Sequence, residues 1–190
     1  MPANRPHRSH SEKSSELVAI AQRLFLERGY AGTTMAAIAA EAGVASNVVH
    51  WYFASKDDLF AASMEALQIA ALQSLNDRFD EGAAVHGPKR LQGVLVEMTQ
   101  RVVAAHSLIS TVHERSSHSA TIAELHERAH ARYGEFLRRL LSRSGAREED
   151  LDLVASALLT AIEGLVMHQA TEEESQRMLS FLVDRLLAVA

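Results

Sequence analysis

Apolar residues recur at spacings of three and four along most of this chain, which is the pattern of amphipathic helices. The first such stretch runs from Glu12 to Arg28 and ends at Gly29. A longer one extends over Ser55–Asp80, and another begins at Pro88, a residue favoured in the first turn of a helix. The sequence lacks the alternation of apolar and polar residues that is typical of strands. The pattern therefore predicts an all-α protein.

Two short helices joined by a turn are predicted after the first helix. Thr34 can cap the first of them, and Gly43 supplies the left-handed residue that the turn needs. The second short helix opens at Ala45 or Ser46. This layout, at about residues 34–53, is typical of a DNA-reading helix-turn-helix motif.

The helix that follows the motif has a defined start. Ser55 and Asp58 form an S-x-x-D capping box directly before the apolar residues Leu59 and Phe60. We therefore predict a three-helix DNA-binding head over residues 12–60. The helical remainder, residues 61–190, is predicted to form a second helical domain.

The head resembles the TetR family of bacterial transcriptional repressors. The resemblance rests on the run AQRLFLERGYAGTTMAAIAAEAGV, on the aromatic pair Tyr52 and Phe53, and on Ser-Lys-x-x-Leu-Phe from Ser55, and it covers about a third of the chain. The segment Ala157–His168 is similar to BetI-like C-terminal domains. The resemblance implies a homodimer that binds a pseudo-palindromic DNA operator and leaves it when a small-molecule effector binds. It also implies that residues 61–190 serve dimerisation and effector binding.

The second helix of the motif is expected to enter the major groove. Ser46, Asn47 and His50 share one face of this helix. Asn47 is the predicted base contact because an Asn amide pairs with adenine N6 and N7, and Val48 could touch a thymine methyl group. Packing in the core is the alternative for Val48, whereas for Trp51 packing is the favoured interpretation and a DNA contact is the alternative. Phosphate contacts are expected from Thr34, His50, Trp51, Tyr52 and Lys56.

The charge is unevenly distributed. The chain has a net charge of −5, and all of it lies in residues 61–190, since residues 1–60 are neutral overall. Arg5 and Arg8 belong to a basic arm, residues 1–11, which could lie along phosphates or enter the minor groove. A solvated tail is the alternative.

The amino-acid composition limits the cellular compartment of the protein and the kinds of chemical site that it can form. The sequence contains no cysteine, which excludes disulfides, thiolate metal sites and cysteine nucleophiles. No apolar run is long enough to span a membrane, and the amino terminus has no hydrophobic signal segment. We therefore expect a cytoplasmic protein that does not engage a membrane.

The last two predicted helices carry more apolar surface than one core needs. Leu151–Met167 is apolar on nearly every side, and the final helix starts with a capping box of Thr171 and Glu174. Packing both helices against those of a second copy would bury the surplus in a two-fold, four-helix interface. A monomer with a central penultimate helix is the alternative.

An effector pocket is predicted among the helices that follow the head. Its candidate residues combine bulk with an occasional polar group. They are Met64, Met98, His106, His113, Tyr133, Phe136, Glu163, Met167 and His168.

One motif points to an enzyme instead. His126, Glu127 and His130 spell H-E-x-x-H, which places two imidazoles on one helix face, as in zinc metalloproteases. A third ligand is needed, and Glu163 or His113 could supply it only through the tertiary fold. We therefore predict a regulator with no catalytic residue or cofactor and assign no metal site, and we leave open whether His126 and His130 bind a metal. The alternatives are a zinc-dependent metallohydrolase and a ligand-independent DNA-organising protein.

Overall fold

The computed structural model describes residues 10–81 and 88–187, and these residues form helices without any strand. The all-α prediction is confirmed. The basic residues Arg5 and Arg8 of the predicted arm lie outside the described residues, as do residues 82–87 between the helices that we predicted over Ser55–Asp80 and from Pro88. The helices are α1 (His10–Arg28), α2 (Met35–Glu41), α3 (Ser46–Tyr52), α4 (Lys56–Glu81), α5 (Pro88–Ala104), α6 (His106–Ser116), α7 (Ala120–Arg143), α8 (Leu151–Met167) and α9 (Glu172–Leu187), with a 3-10 turn at Glu148–Asp150.

Local side-chain and backbone signals set the helix ends in the head. The Thr34 hydroxyl accepts a hydrogen bond from the Ala37 backbone N–H at 3.1 Å, as an N-cap should. Gly43, between α2 and α3, has a φ of +62°, a conformation that side chains with a Cβ rarely adopt. The Ser55 hydroxyl accepts from the Asp58 N–H at 3.1 Å, and an Asp58 carboxylate oxygen accepts from the Ser55 N–H at 2.9 Å. These predicted caps and turns are confirmed.

An aromatic cluster holds the head together. Phe25 of α1 and Tyr30 each meet the ring of Phe60 on α4 edge to face, with ring centroids 5.0 Å apart. Leu17 and Val49 are also fully buried in this core, so α1, α3 and α4 share one apolar interior.

The core of the head continues beyond its predicted boundary at residue 60. Leu108 and Val112 of α6 and Ile122 and Leu125 of α7 belong to the same buried cluster as the head residues. The head is therefore packed directly on α6 and α7, and a movement of either helix acts on it without an intervening linker.

A second core lies at the other end of α4. Leu75 and Phe79 of α4 pack there with buried residues of α5, α7, α8 and α9. Helix α7 lies against α8, and α5 lies against α9. The single helix α4 thus runs from the head into the second core.

The outer surfaces of α8 and α9 carry large exposed apolar side chains. Leu153 is 73% exposed and Phe181 is 59% exposed, and Met167 and Met178 are more than two-fifths exposed. Among the described residues, no helix is both long and apolar enough to cross a bilayer.

Candidate DNA-binding surface and ligand cavity

Helix α3 is anchored on one side and open on the other. Val49 is its fully buried residue, it belongs to the same buried cluster as residues of α1, α2 and α4, and α3 lies against α2. Ser46, Asn47 and His50 are exposed, and Val48 is half-buried. The predicted base-reading residues therefore share one solvent-facing surface, and Thr34 at the start of α2 is also exposed.

Trp51 does not pack into the core. Its side chain is 69% exposed and meets the rings of His10 and Tyr52, with centroids 4.9 and 4.7 Å away. The His10 ring also lies 4.7 Å from that of Tyr52. The first residue of α1 is therefore in contact with the end of α3, and the three rings extend the exposed surface of that helix.

Lys56 has a structural role that the sequence did not reveal. Its ammonium donates to the backbone carbonyls of Tyr30 and Thr33 at 3.0 and 3.1 Å and lies 3.9 Å from the centre of the Tyr30 ring. Burial lowers the pKa of Lys56. The side chain thus ties the turn before α2 to the start of α4, and the phosphate contact expected of Lys56 stays a prediction.

Asp57, beside Lys56, links the head to α6. Arg115 donates to both of its carboxylate oxygens, at 2.9 and 2.7 Å, and the Tyr30 hydroxyl donates to one of them. The hydrogen bonds from Arg115, supported by the one from Tyr30, lower the pKa of Asp57 to about 2. Burial and the bond to Asp57 raise the pKa of Tyr30 to about 12.

A cavity of about 540 Å³ lies between α4, α5, α6, α7 and α8. Its walls are mostly apolar, and its size suits a small organic ligand. Of the nine predicted pocket residues, five line it: Met64, Met98, His113, Tyr133 and Glu163. The sequence did not indicate the lining residues Gln68, Arg101, Ile109, Leu159 and Ile162.

The other four predicted pocket residues lie elsewhere. Phe136 is fully buried in the second core, and Met167 and His168 are exposed at the end of α8. His106 begins α6 and does not line the cavity. The reason is that helix periodicity gives the side of a helix that is buried but does not tell which buried residues border a void.

Titratable side chains gather at one end of the cavity. His126 and His130 of α7 approach each other with their Nε2 atoms 3.1 Å apart, and the Nε2 atom of His130 lies 2.7 Å from the Oε1 atom of Glu163 on α8. Ligand atoms of His113, His126 and Glu163 all lie within 4.8 Å of one another. Burial lowers the pKa of His126, and His130 and His113 lower it further.

The geometry around this cluster gives no support to hydrolysis. A metalloprotease needs the glutamate of H-E-x-x-H beside the metal as its general base. Glu127 is exposed and is absent from the cavity lining. The motif therefore places two histidines at the cavity, whereas its glutamate, Glu127, does not line the cavity and is not placed to act as the general base.

Comparison with known proteins adds independent support for the head. Residues 17–63 match the family described as bacterial regulatory proteins, tetR family. The HTH-type transcriptional regulator TtgR of Pseudomonas putida is 38% identical over 56 residues, which are 30% of this chain and 27% of TtgR. ArpR, also of Pseudomonas putida, matches with the same values. The chain thus matches about a quarter of the length of these curated relatives.

Solved structures extend the likeness to the whole fold. A TetR transcription regulator from Haloarcula marismortui ATCC 43049 superposes with a TM-score of 0.72 at 22% identity, covering 93% of this chain and 98% of that one. A candidate TetR-family transcriptional regulator from Mesorhizobium loti MAFF303099 gives a TM-score of 0.73 at 19% identity, covering 96% and 98%. Residues 17–63 therefore match the tetR family of bacterial regulatory proteins, and the complete helical architecture is shared with these solved structures.

Proposed function

We propose that this protein is a DNA-binding transcriptional regulator that acts as a homodimer and is released from its operator by a ligand in the cavity. The observation that carries the proposal is the construction of α3. One buried residue, Val49, holds the helix in place, while Ser46, Asn47 and His50 face solvent within the family-matched region. This is how a recognition helix presents side chains to base edges.

Contacts with bases and contacts with phosphates come from different parts of this surface. Asn47 offers an amide that pairs with adenine in the major groove, and Ser46 and His50 flank it. The amino-terminal end of α2, with the exposed Thr34 hydroxyl, is suited to a phosphate oxygen. Tyr52 and Trp51 extend the same surface toward the backbone of the duplex.

The exposed apolar residues of α8 and α9 support a two-fold interface. Leu153 and Phe181 face solvent in the monomer, where contiguous apolar surface is unfavourable. Pairing α8 and α9 with those of a second copy buries this surface. The two heads then read half-sites about 34–36 Å apart or somewhat more.

The release mechanism runs through α6. Ile109 and His113 of this helix line the cavity, and Arg115, two residues further on, holds Asp57 at the start of α4. A ligand that displaces α6 therefore acts on α4 and on the head packed against it. Release follows if the ligand binds more tightly to the displaced arrangement than to the DNA-bound one.

The test is a selection of bound duplexes from random DNA, followed by fluorescence anisotropy with the selected sequence. We expect a salt-dependent affinity that Asn47→Ala lowers about 5- to 100-fold, mainly for duplexes with the preferred base. Gln73→Ala, at an exposed position on α4 away from the head surface, is the control and should leave affinity unchanged. A purified dimer that shows no preference among duplexes at low salt would contradict the proposal.

A further inference from the structure

The cluster of imidazoles at one end of the cavity is not explained by DNA binding or by dimerisation. Three helices contribute to it: α6 provides His113, α7 provides His126 and His130, and α8 provides Glu163. The remaining lining is mostly apolar apart from Gln68, Arg101 and Tyr133, so the cluster is one of the places where the cavity can recognise a polar or charged ligand.

We infer that His113, His126, His130 and Glu163 form a binding site for a divalent first-row transition metal ion such as Zn²⁺. The donor types fit this class of cation, because imidazole nitrogen with one carboxylate is a common ligand set for zinc. Magnesium and calcium prefer oxygen ligands and are excluded by a site in which three of four donors are nitrogen.

The distances in the cluster are close to those that a metal imposes. Nitrogen and oxygen ligands about 2.0–2.2 Å from a tetrahedral cation lie about 3.3–3.5 Å from each other. The Nε2 atoms of His126 and His130 are 3.1 Å apart, and the Nε2 atom of His130 is 2.7 Å from the Glu163 Oε1 atom. The two imidazole nitrogens need to separate by only about 0.2–0.4 Å, and His130 and Glu163 by about 0.6–0.8 Å, to accommodate the cation between them.

The spacing on α7 also favours the site. His126 and His130 are separated by one helical turn, so both rings project to the same side without distortion of the backbone. The His113 ring, from α6, meets that of His126 at a centroid distance of 4.7 Å. The site thus spans the three helices that border this end of the cavity, and occupancy would fix their relative positions.

This inference rests on the proposed function only for its regulatory consequence. A cation bound by His113 draws α6 toward α7 and α8. Arg115 lies two residues from His113 and holds the start of α4 through Asp57. Metal binding is therefore coupled to the orientation of the head, and we expect Zn²⁺ to lower the affinity for the operator.

The test uses the untagged full-length chain after removal of metal with a chelator. Isothermal titration with Zn²⁺ measures stoichiometry and affinity, and the visible absorption of Co²⁺ reports tetrahedral coordination. We expect one ion per chain and no binding of Mg²⁺ at the same concentration. His126→Ala, His130→Ala and Glu163→Gln should each weaken Zn²⁺ binding more than about tenfold, since even second-shell changes often weaken metal sites by that factor.

Two controls separate this site from other histidines. His118→Ala changes an exposed histidine in the turn between α6 and α7 and should leave Zn²⁺ affinity within twofold. A double change of His7 and His10 to alanine tests the amino-terminal histidines in the same way. Circular dichroism checks that each variant keeps its helical content. Equal affinity in the wild type and in a His126→Ala, His130→Ala double variant would overturn the inference, as would loss of the site in either control.

Operator binding, measured on the same preparation, keeps the two proposals distinguishable. Stoichiometric Zn²⁺ binding without any sequence-specific DNA binding leaves the metal site in place and removes the proposed function. Specific DNA binding without Zn²⁺ binding leaves the proposed function in place and removes the metal site. If both occur, an operator affinity that falls at least fivefold with Zn²⁺ supports the regulatory consequence, and an unchanged affinity removes that consequence alone.

Discussion

Arg115 on α6 donates two parallel hydrogen bonds to Asp57, the second residue of α4, with lengths of 2.9 and 2.7 Å. The residues are 58 positions apart in the chain, and the pair joins the helix that borders the cavity to the helix that leads out of the head. The Tyr30 hydroxyl donates to the same carboxylate, so the turn after α1 joins this connection. Two parallel hydrogen bonds resist rotation of the Arg115 and Asp57 side chains relative to each other as well as their separation.

The first prediction is that Asp57 and Arg115 are energetically coupled. A double-mutant cycle with Asp57→Asn and Arg115→Lys should give a coupling energy of about 1–3 kcal/mol, because lysine keeps the charge but cannot form the two parallel bonds. Urea unfolding followed by circular dichroism measures each free energy. The matched control is the ion pair between Arg143 and Asp80, whose side chains are 57% and 58% exposed. Its coupling should be below about 1 kcal/mol, and equal values for the two cycles would contradict the prediction.

The lowered pKa of the Asp57 carboxylate leads to a second prediction, which concerns how the stability of the fold depends on pH. Asp57 has its pKa lowered from a usual value of 3.8 to about 2 in the folded state. Its contribution to the free energy of unfolding is therefore fully present above about pH 5 and is lost as the pH falls through the folded pKa. The contribution is about 1–2 kcal/mol after allowance for solvent screening, since the Arg115 side chain is 34% exposed.

Unfolding measurements between about pH 2 and pH 6 test this dependence. The wild type should lose stability more steeply than Asp57→Asn toward the acid end of the range. Asp77→Asn, at an exposed position on α4, is the control and should follow the wild type. Parallel curves for the wild type and Asp57→Asn would show that the carboxylate has no such role.

Lys56 gives a third prediction, in which stability and DNA binding are separated. Lys56→Met keeps the unbranched stem of the side chain but removes the ammonium that donates to the carbonyls of Tyr30 and Thr33. The free energy of unfolding should fall by about 1–3 kcal/mol, because the two partly buried carbonyls lose a charged donor. Lys89→Met, at an exposed position on α5, should have little effect. A variant of normal stability with weaker DNA binding would instead identify Lys56 as a phosphate contact.

The head could be predicted from the sequence because its signals are local. The Thr34 hydroxyl caps α2 by accepting from the N–H three positions later, and Ser55 and Asp58 bond to each other within one helical turn. The positive φ of Gly43 depends only on the absence of a side chain at that residue. None of these features depends on distant parts of the chain. The position and type of each helix therefore followed from short-range rules.

The cavity was less predictable because it depends on how distant helices pack. His113, His126 and Glu163 come together only when α6, α7 and α8 are assembled. Phe136 has the same apolar character as residues that line the cavity, yet it is fully buried in the second core. The direction of the Lys56 side chain is likewise set by the turn at Tyr30, which a helix pattern does not describe.

The last prediction concerns the surface formed by α8 and α9. Phe181→Glu and Leu153→Glu place charges at side chains that are 59% and 73% exposed, so the monomer should keep its fold. In a dimer these charges would be buried without partners, which is strongly unfavourable. We therefore expect each variant to sediment as a monomer at concentrations where the wild type is a dimer, and to lose affinity for a two-half-site operator. Val103→Glu is the matched control, since Val103 is a 40% exposed apolar residue on α5. Dimers that persist in both α8 and α9 variants, or dissociation caused equally by the α5 change, would show that another surface joins the two copies.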